Sequence, residues 1–213
     1  MSSVAIIDYG MGNLHSIAKA LQHASAAHSV TVTDDPKAIR QAERVVFPGV
    51  GAIRDCMNAL AERELIPVLR EVAASKPFLG ICLGMQALLD FSEENGGTPC
   101  LGIIPGQVVR FADGLTDARG EALKIPHMGW NRVHPTDDHP LWAGIDPSTW
   151  FYFVHSYFAK PAVASHVAAT TDYGLPFASV LARENVFAAQ FHPEKSQAAG
   201  LRLLANFLEW DPA

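Results

Sequence analysis

The strongest constraint on how this chain folds is a series of short apolar runs, each followed closely by a helical pattern. The first is Val4-Ala5-Ile6-Ile7. After a turn through Gly10-Met11-Gly12-Asn13, the residues Leu14, Ile17, Ala18 and Leu21 recur at the spacing of an amphipathic helix. Val30-Thr31-Val32-Thr33 leads to Asp35-Pro36, an N-cap with proline at the first helical position. Val45-Val46-Phe47 and Phe78-Leu79-Gly80-Ile81 repeat the arrangement. Strands that are apolar on both faces and alternate with helices predict an α/β fold, a mostly parallel sheet covered on both sides.

Beyond about Gly96 the character changes. Between Gln107 and Arg183 the runs are strand-like and separated by turns, including Trp150-Phe151-Tyr152-Phe153-Val154 and His166-Val167-Ala168-Ala169. These predict an antiparallel or mixed extension of the same sheet. Val186 to Phe191 reads as a last strand and Gln197 to Trp210 as a closing helix. No repeat or linker interrupts the chain, so residues 1–213 read as a single domain.

Composition narrows the function. The formal net charge is -6, with no basic run, which disfavours a nucleic-acid partner. No apolar stretch approaches the roughly 18 residues of a membrane helix. The start Met1-Ser2-Ser3-Val4 lacks the basic region of a signal peptide, and three cysteines show no paired spacing. Both features predict a cytoplasmic protein with free thiols.

The most informative segment is Gly80-Ile81-Cys82-Leu83-Gly84. A strand enters Cys82, and a helix through Leu83, Gln86, Ala87, Leu88 and Leu89 leaves it. G-x-C-x-G in that setting is the cysteine counterpart of a nucleophile elbow. Side chains two before and two after the nucleophile would clash in so sharp a turn, hence the glycines. The helix N-terminus favours thiolate over thiol, and the Leu83 N–H is placed to donate to an oxyanion.

A thiol nucleophile needs a base, and the base needs a partner that fixes its tautomer. Phe191-His192-Pro193-Glu194 follows the last strand. Proline biases His192 toward an extended backbone, in which residues two apart face the same side, so Glu194 can reach the imidazole. An α/β-hydrolase would be expected to run nucleophile, acid, histidine; here the acid follows the histidine, which disfavours that relative. Pro48-Gly49-Val50-Gly51 closes the third strand. Its N–H groups either complete the oxyanion hole with Leu83 or belong to an ordinary Pro-Gly turn, and strand order decides between them.

Gly80-Ile81-Cys82-Leu83-Gly84-Met85-Gln86 together with His192-Pro193-Glu194 resembles the class I, triad-type glutamine amidotransferases. Further segments are similar to one branch of them, the glutaminase subunits of imidazole glycerol phosphate synthases. These are Asp8-Tyr9-Gly10-Met11-Gly12-Asn13-Leu14, Phe47-Pro48-Gly49-Val50-Gly51, Pro126-His127-Met128-Gly129-Trp130-Asn131, Tyr152-Phe153-Val154-His155-Ser156-Tyr157 and Pro193-Glu194-Lys195-Ser196. The resemblance covers essentially the whole chain and implies a flavodoxin-like amidotransferase fold. It also implies L-glutamine as substrate, a catalytic set of Cys82, His192 and Glu194, and an oxyanion hole of Leu83, Val50 and Gly51. Gln86 and the Ser156-Tyr157 backbone match positions that hold glutamine in the family. The implied partner is a cyclase subunit, a (β/α)₈ barrel forming a heterodimer, with Asn13, Trp130 and Lys195 on the interface. Ammonia would cross to that barrel, giving imidazole glycerol phosphate and aminoimidazole carboxamide ribotide in histidine biosynthesis.

Several features invite other readings. Gly10-Met11-Gly12-Asn13-Leu14-His15 approaches a dinucleotide fingerprint, but His15 replaces the third glycine and would obstruct helix–strand packing. Nine histidines form no metal-ligand spacing, so neither metal nor cofactor is expected. Cys56 lies on a helical stripe with Ile53, Met57 and Leu60 and reads as packing, and Cys100 carries no functional reading. Two rivals remain. One is an amidotransferase serving chorismate, purine or pyridoxal phosphate synthesis, which Met128-Gly129-Trp130-Asn131 and the N-terminal signature disfavour. The other is a non-catalytic scaffold, which the intact Cys82, His192 and Glu194 set disfavours.

Overall fold

The apolar runs become strands because their side chains find cover on both sides. The computed structural model describes residues 2–212. Its first half contains β1 (Ser3–Ile7), α1 (Leu14–Ala24), β2 (Ser29–Thr33), α2 (Pro36–Gln41), β3 (Arg44–Gly49), α3 (Ile53–Glu62), α4 (Leu65–Ala73), β4 (Phe78–Cys82) and α5 (Leu83–Ala87). The short strands β5 (Phe91–Ser92) and β6 (Thr98–Pro99) follow. Then come β7 (Gly106–Arg110), β8 (His127–Arg132), β9 (His134–Pro135), β10 (Trp150–His155) and β11 (Tyr157–Pro161). The chain continues through β12 (Val167–Asp172), β13 (Pro176–Arg183), β14 (Val186–Ala189) and α6 (Gln197–Glu209).

Strands β2, β1, β3, β4 and β14 lie side by side and parallel in that order. Beyond β14 the sheet continues antiparallel through β13, β11 and β7, so the α/β reading with an antiparallel extension is borne out. Ile6, Val46, Leu79 and Ile81 join α1 and α6 residues in one apolar layer. Ile7, Val45, Phe47 and Phe78 join α3, α4 and α5 residues in the other. Neighbouring residues on one strand enter different layers because successive side chains point to opposite faces. Asp35 caps α2, accepting from the Lys37 N–H at 3.0 Å.

Two expectations need correction. Trp150–His155 does not extend the sheet: β10 pairs antiparallel with β8 as a separate two-stranded ribbon. Its alternation explains why. Phe151, Phe153 and His155 are buried, and Phe151 meets Phe191 with ring centroids 4.1 Å apart. The ribbon therefore lies on the sheet's face rather than along its edge. The helix after Cys82 also stops at Ala87, short of Leu88 and Leu89. The carbonyls of Ala87, Leu88 and Leu89 accept from the N–H groups of residues 101–104, so distant chain takes over the hydrogen bonding that a longer helix would need. Among the described residues no helix is long and apolar enough to cross a membrane.

Candidate active site

Register brings the site together at the carboxyl ends of the parallel strands, where open α/β sheets place their ligands. Gly49 pairs with Cys82 across β3 and β4, and Ala189 pairs with Ile81 across β14 and β4. The sulfur thus emerges between the end of β3 and the start of the segment Gln190–Glu194.

Cys82 sits at φ 54° and ψ -110°, a conformation that costs a residue with a side chain about 1–3 kcal/mol. The flanking glycines allow it, and neighbouring elements add a further reason for them. A β-carbon at Gly84 would land on the carbonyl oxygen of Phe47 on β3. One at Gly80 would stand 3.0 Å from the Ala188 β-carbon and 3.1 Å from Leu88 Cδ1. Gly49 is held as tightly, since its β-carbon would lie 2.5 Å from the Tyr9 hydroxyl and 2.8 Å from Leu83 Cβ. Neighbouring elements exclude side chains at all three positions.

Cys82 opens on a cavity of about 280 Å³. Leu83, His192, Val50, Gly51, Gln86, Ser156 and Tyr157 line it too, so eight of the residues singled out from the sequence share one space. Glu194 stands behind His192: its Oε1 accepts from the ring's Nδ1 at 2.8 Å, and its side chain is wholly buried. The backbone route differs from the expected extended one. His192 is extended (φ -103°, ψ 97°), but Pro193–Lys195 forms a single 3₁₀ turn, closed by Lys195 N–H and Ser196 Oγ–H, both donating to the His192 carbonyl. That turn carries Glu194 back to the ring.

A carboxylate can only accept, so Nδ1 carries a hydrogen and Nε2 remains for the cavity. Nε2 makes no hydrogen bond of ordinary geometry within the protein. Burial pulls the His192 ring toward neutrality; attraction to a charged Cys82 sulfur, followed by the Glu194 carboxylate, outweighs it and pushes the pKa up to about 10. The ring thus stands between the Cys82 sulfur and the Glu194 carboxylate, with Nδ1 committed to the carboxylate and Nε2 free to exchange a proton on the cavity side.

Gln86 presents a different edge from the one a substrate-holding amide would suggest. Its Nε2 donates to the Tyr157 carbonyl at 2.9 Å and to Gln190 Oε1 at 3.0 Å, which leaves Oε1 for a ligand. The Tyr157 carbonyl also accepts from His155 Nδ1 at 2.8 Å, so both of its lone pairs are engaged. Sequence reasoning missed Glu94, His155 and Gln190. Glu94 lines the cavity and also accepts from the Ile53 N–H at 2.9 Å; nothing in its local sequence, between Glu93 and Asn95, marks it. His155 lies inside a segment already quoted, and Gln190 immediately precedes Phe191-His192.

Trp130 is 42% exposed and packs edge-on to Tyr152 with centroids 6.1 Å apart, while Lys195 Nζ lies 5.7 Å from the same Tyr152 ring. Asn13 occupies the N-cap position of α1 without using its side chain there. Cys56 and Cys100 are buried free thiols, pushed up to about 12 and about 11 mainly by burial. Among the described residues no three His, Cys, Asp or Glu side chains converge as metal ligands.

Residues 5–210 match the family model for glutamine amidotransferase class-I. The chain is 72% identical to imidazole glycerol phosphate synthase subunit HisH of Methylococcus capsulatus, covering 100% of this chain and 98% of that one. It is 59% identical to the same subunit of Nitrosococcus oceani, covering 99% of each. Solved structures with the same fold include PurLQS from Thermotoga maritima, with TM-score 0.73 at 15% identity over 98% of both chains. Another, described as a glutamine amidotransferase, has TM-score 0.72 at 18% identity over 97% of both. The chain belongs to the class-I glutamine amidotransferases and, within them, to the HisH subunits of imidazole glycerol phosphate synthase.

Proposed function

We propose that the chain, acting as one domain over residues 1–213, hydrolyses the side-chain amide of L-glutamine. The ammonia then passes to a cyclase subunit that makes imidazole glycerol phosphate and aminoimidazole carboxamide ribotide. The observation that carries this reading is Cys82 on its strained turn, opening on the same cavity as a His192 whose far nitrogen is held by buried Glu194.

In this mechanism the Cys82 sulfur adds to the amide carbon. The resulting oxyanion faces N–H groups of Leu83 and of the Val50-Gly51 segment, which border the same cavity. His192 gives its proton from Nε2 to the departing nitrogen, the C–N bond breaks, and ammonia leaves a glutamyl thioester. His192, now neutral, takes a proton from water as the water attacks the thioester; glutamate departs and the thiolate–imidazolium pair returns. Glu194 keeps the ring in one tautomer throughout. Gln86 Oε1 and the Ser156-Tyr157 segment hold the substrate, and the Glu94 carboxylate complements the α-ammonium group of an amino acid.

The cyclase, a (β/α)₈ barrel forming a heterodimer with this chain, docks on the surface that carries Trp130, Lys195 and Asn13. Ammonia released into neutral water would be protonated and lose its lone pair, which gives direct transfer its chemical purpose. A cytoplasmic location accords with the three free thiols.

Mixing the chain with the cyclase subunit and with acceptor subunits for chorismate, purine and pyridoxal phosphate synthesis tests the assignment. Glutamine-dependent product with the cyclase alone supports it; product with a different acceptor and none with the cyclase refutes it.

A further inference from the structure

The buried amide of Gln190 has no part in the mechanism above, yet it reaches the nucleophile. Gln190 is 0% exposed, and its Nε2 lies 3.7 Å from Cys82 Sγ. Which end of an amide faces a sulfur decides whether the contact steadies or repels negative charge, and here the hydrogen-bond pattern decides the orientation.

The pattern starts at the carbonyl of Tyr157, which can only accept. The Gln86 atom 2.9 Å from it must therefore be the NH₂ nitrogen. That same nitrogen stands 3.0 Å from the Gln190 side chain, so the Gln190 atom it meets must be an acceptor, the oxygen Oε1. The other end of the Gln190 amide, its NH₂, then has to point at Cys82. Turning Gln190 over would set two NH₂ groups against each other and place an oxygen against the sulfur. The His155 Nδ1–H, donating to the same Tyr157 carbonyl at 2.8 Å, holds the anchor in place.

We propose that Gln190 is a positioning residue for the glutaminase reaction. Its N–H, oriented through Gln86 by the Tyr157 carbonyl, donates to the Cys82 sulfur and stabilises the thiolate before substrate arrives. This rests on the assignment of Cys82 as nucleophile. Register supplies the placement: Ala189, the last residue of β14, pairs with Ile81, so the residues that follow are Gln190 and Cys82. A hydrogen bond to a charged acceptor is worth about a tenfold change in an equilibrium or more, and the donor is lost whenever the amide becomes a group that cannot donate.

The test is the pH dependence of Cys82 alkylation by iodoacetamide in the complex with the cyclase, without glutamine and read at the Cys82 peptide by mass spectrometry. Gln190→Glu keeps the shape and still accepts from Gln86, but turns an oxygen toward the sulfur. Gln190→Met keeps the volume and removes the donor. Both are expected to slow alkylation at neutral pH about tenfold or more and to move the profile to higher pH, with Gln190→Glu the larger effect. Glutamine turnover should fall in kcat more than in KM.

A role in packing alone predicts that Gln190→Met keeps the native profile; that result, in a variant with an unchanged thermal unfolding midpoint, overturns the proposal. Should Gln190→Glu fail to fold, Gln190→Met decides by itself. If alkylating Cys82 in the unsubstituted protein leaves glutamine turnover intact, the assignment of Cys82 falls instead, and the two failures are told apart.

Discussion

His127 Nδ1 and His155 Nε2 meet at 2.9 Å in the layer between the β8–β10 ribbon and the main sheet. His155 donates through Nδ1 to the Tyr157 carbonyl, so its Nε2 accepts and His127 Nδ1 carries the hydrogen. Asn131 Nδ2 then donates to His127 Nε2 at 3.2 Å. Every nitrogen is accounted for only while both rings are neutral. Burial, the principal cause, pushes His127 down to about 4 and His155 to about 3.

Both folded-state pKa values lie below the unfolded value of about 6.5, so the unfolded chain takes up these protons first. Stability is expected to fall as pH drops below about 6.5 and to stop falling on this account only near 4 and 3. The slope is up to about 1.4 kcal/mol per pH unit for each ring. Denaturant unfolding at a series of pH values measures it. His127→Gln should flatten the slope even if it lowers stability at pH 7.

Cys82→Ala removes the sulfur without filling the cavity. Glutamine-dependent synthesis by the complex should fall by on the order of 10⁴-fold or more, while synthesis from added ammonia persists. Parallel assays with glutamine and with ammonium salts check it, and loss of both activities would contradict the division of labour between subunits.

Glu194→Gln keeps the shape of the orienting group and changes its polarity. An amide NH₂ donating to His192 Nδ1 would leave the hydrogen on Nε2, the wrong tautomer for a base facing the sulfur. We expect kcat for glutamine to drop by roughly 10³–10⁴-fold with KM little changed. Steady-state kinetics at saturating cyclase ligand would show it.

Gly84→Ala should destabilise the fold by about 3 kcal/mol or more, because the new methyl falls on the backbone oxygen of Phe47, and both α5 and that part of β3 are buried. Gly114→Ala is the comparison: its φ of 78° disfavours alanine, but no atom lies within 4 Å, so the cost should be about 1 kcal/mol. Calorimetric unfolding of the two variants separates overlap from backbone strain.

The parts of this structure legible in the sequence are those governed by local rules. Val45-Val46-Phe47 and Phe78-Leu79-Gly80-Ile81 announce buried strands because nothing polar interrupts them, and Asp35-Pro36 announces a helix start. The cysteine between two glycines marks a turn that few other residues permit. What escaped depends on distant chain. Trp150–Val154 has the composition of a sheet strand, but which surface receives it is set by Phe191 and Phe177, far along the sequence. The helix after Cys82 ends early because residues 101–104 claim its carbonyls. Glu194 reaches His192 through a turn whose closure depends on Ser196. Gln190 could not be recognised at all, since an amide's polarity has meaning only once its neighbours are known.

Gly49, Gly80 and Gly84 leave the hinge around the sulfur with no clearance: a single methyl at any of them meets strand backbone or a packed side chain. The Cys82 turn is therefore shaped from outside, by the Phe47 carbonyl, Ala188, Leu88 and Tyr9, rather than by the turn's own residues. A substitution on any of those neighbours can then displace the sulfur without touching the cavity that the sulfur faces.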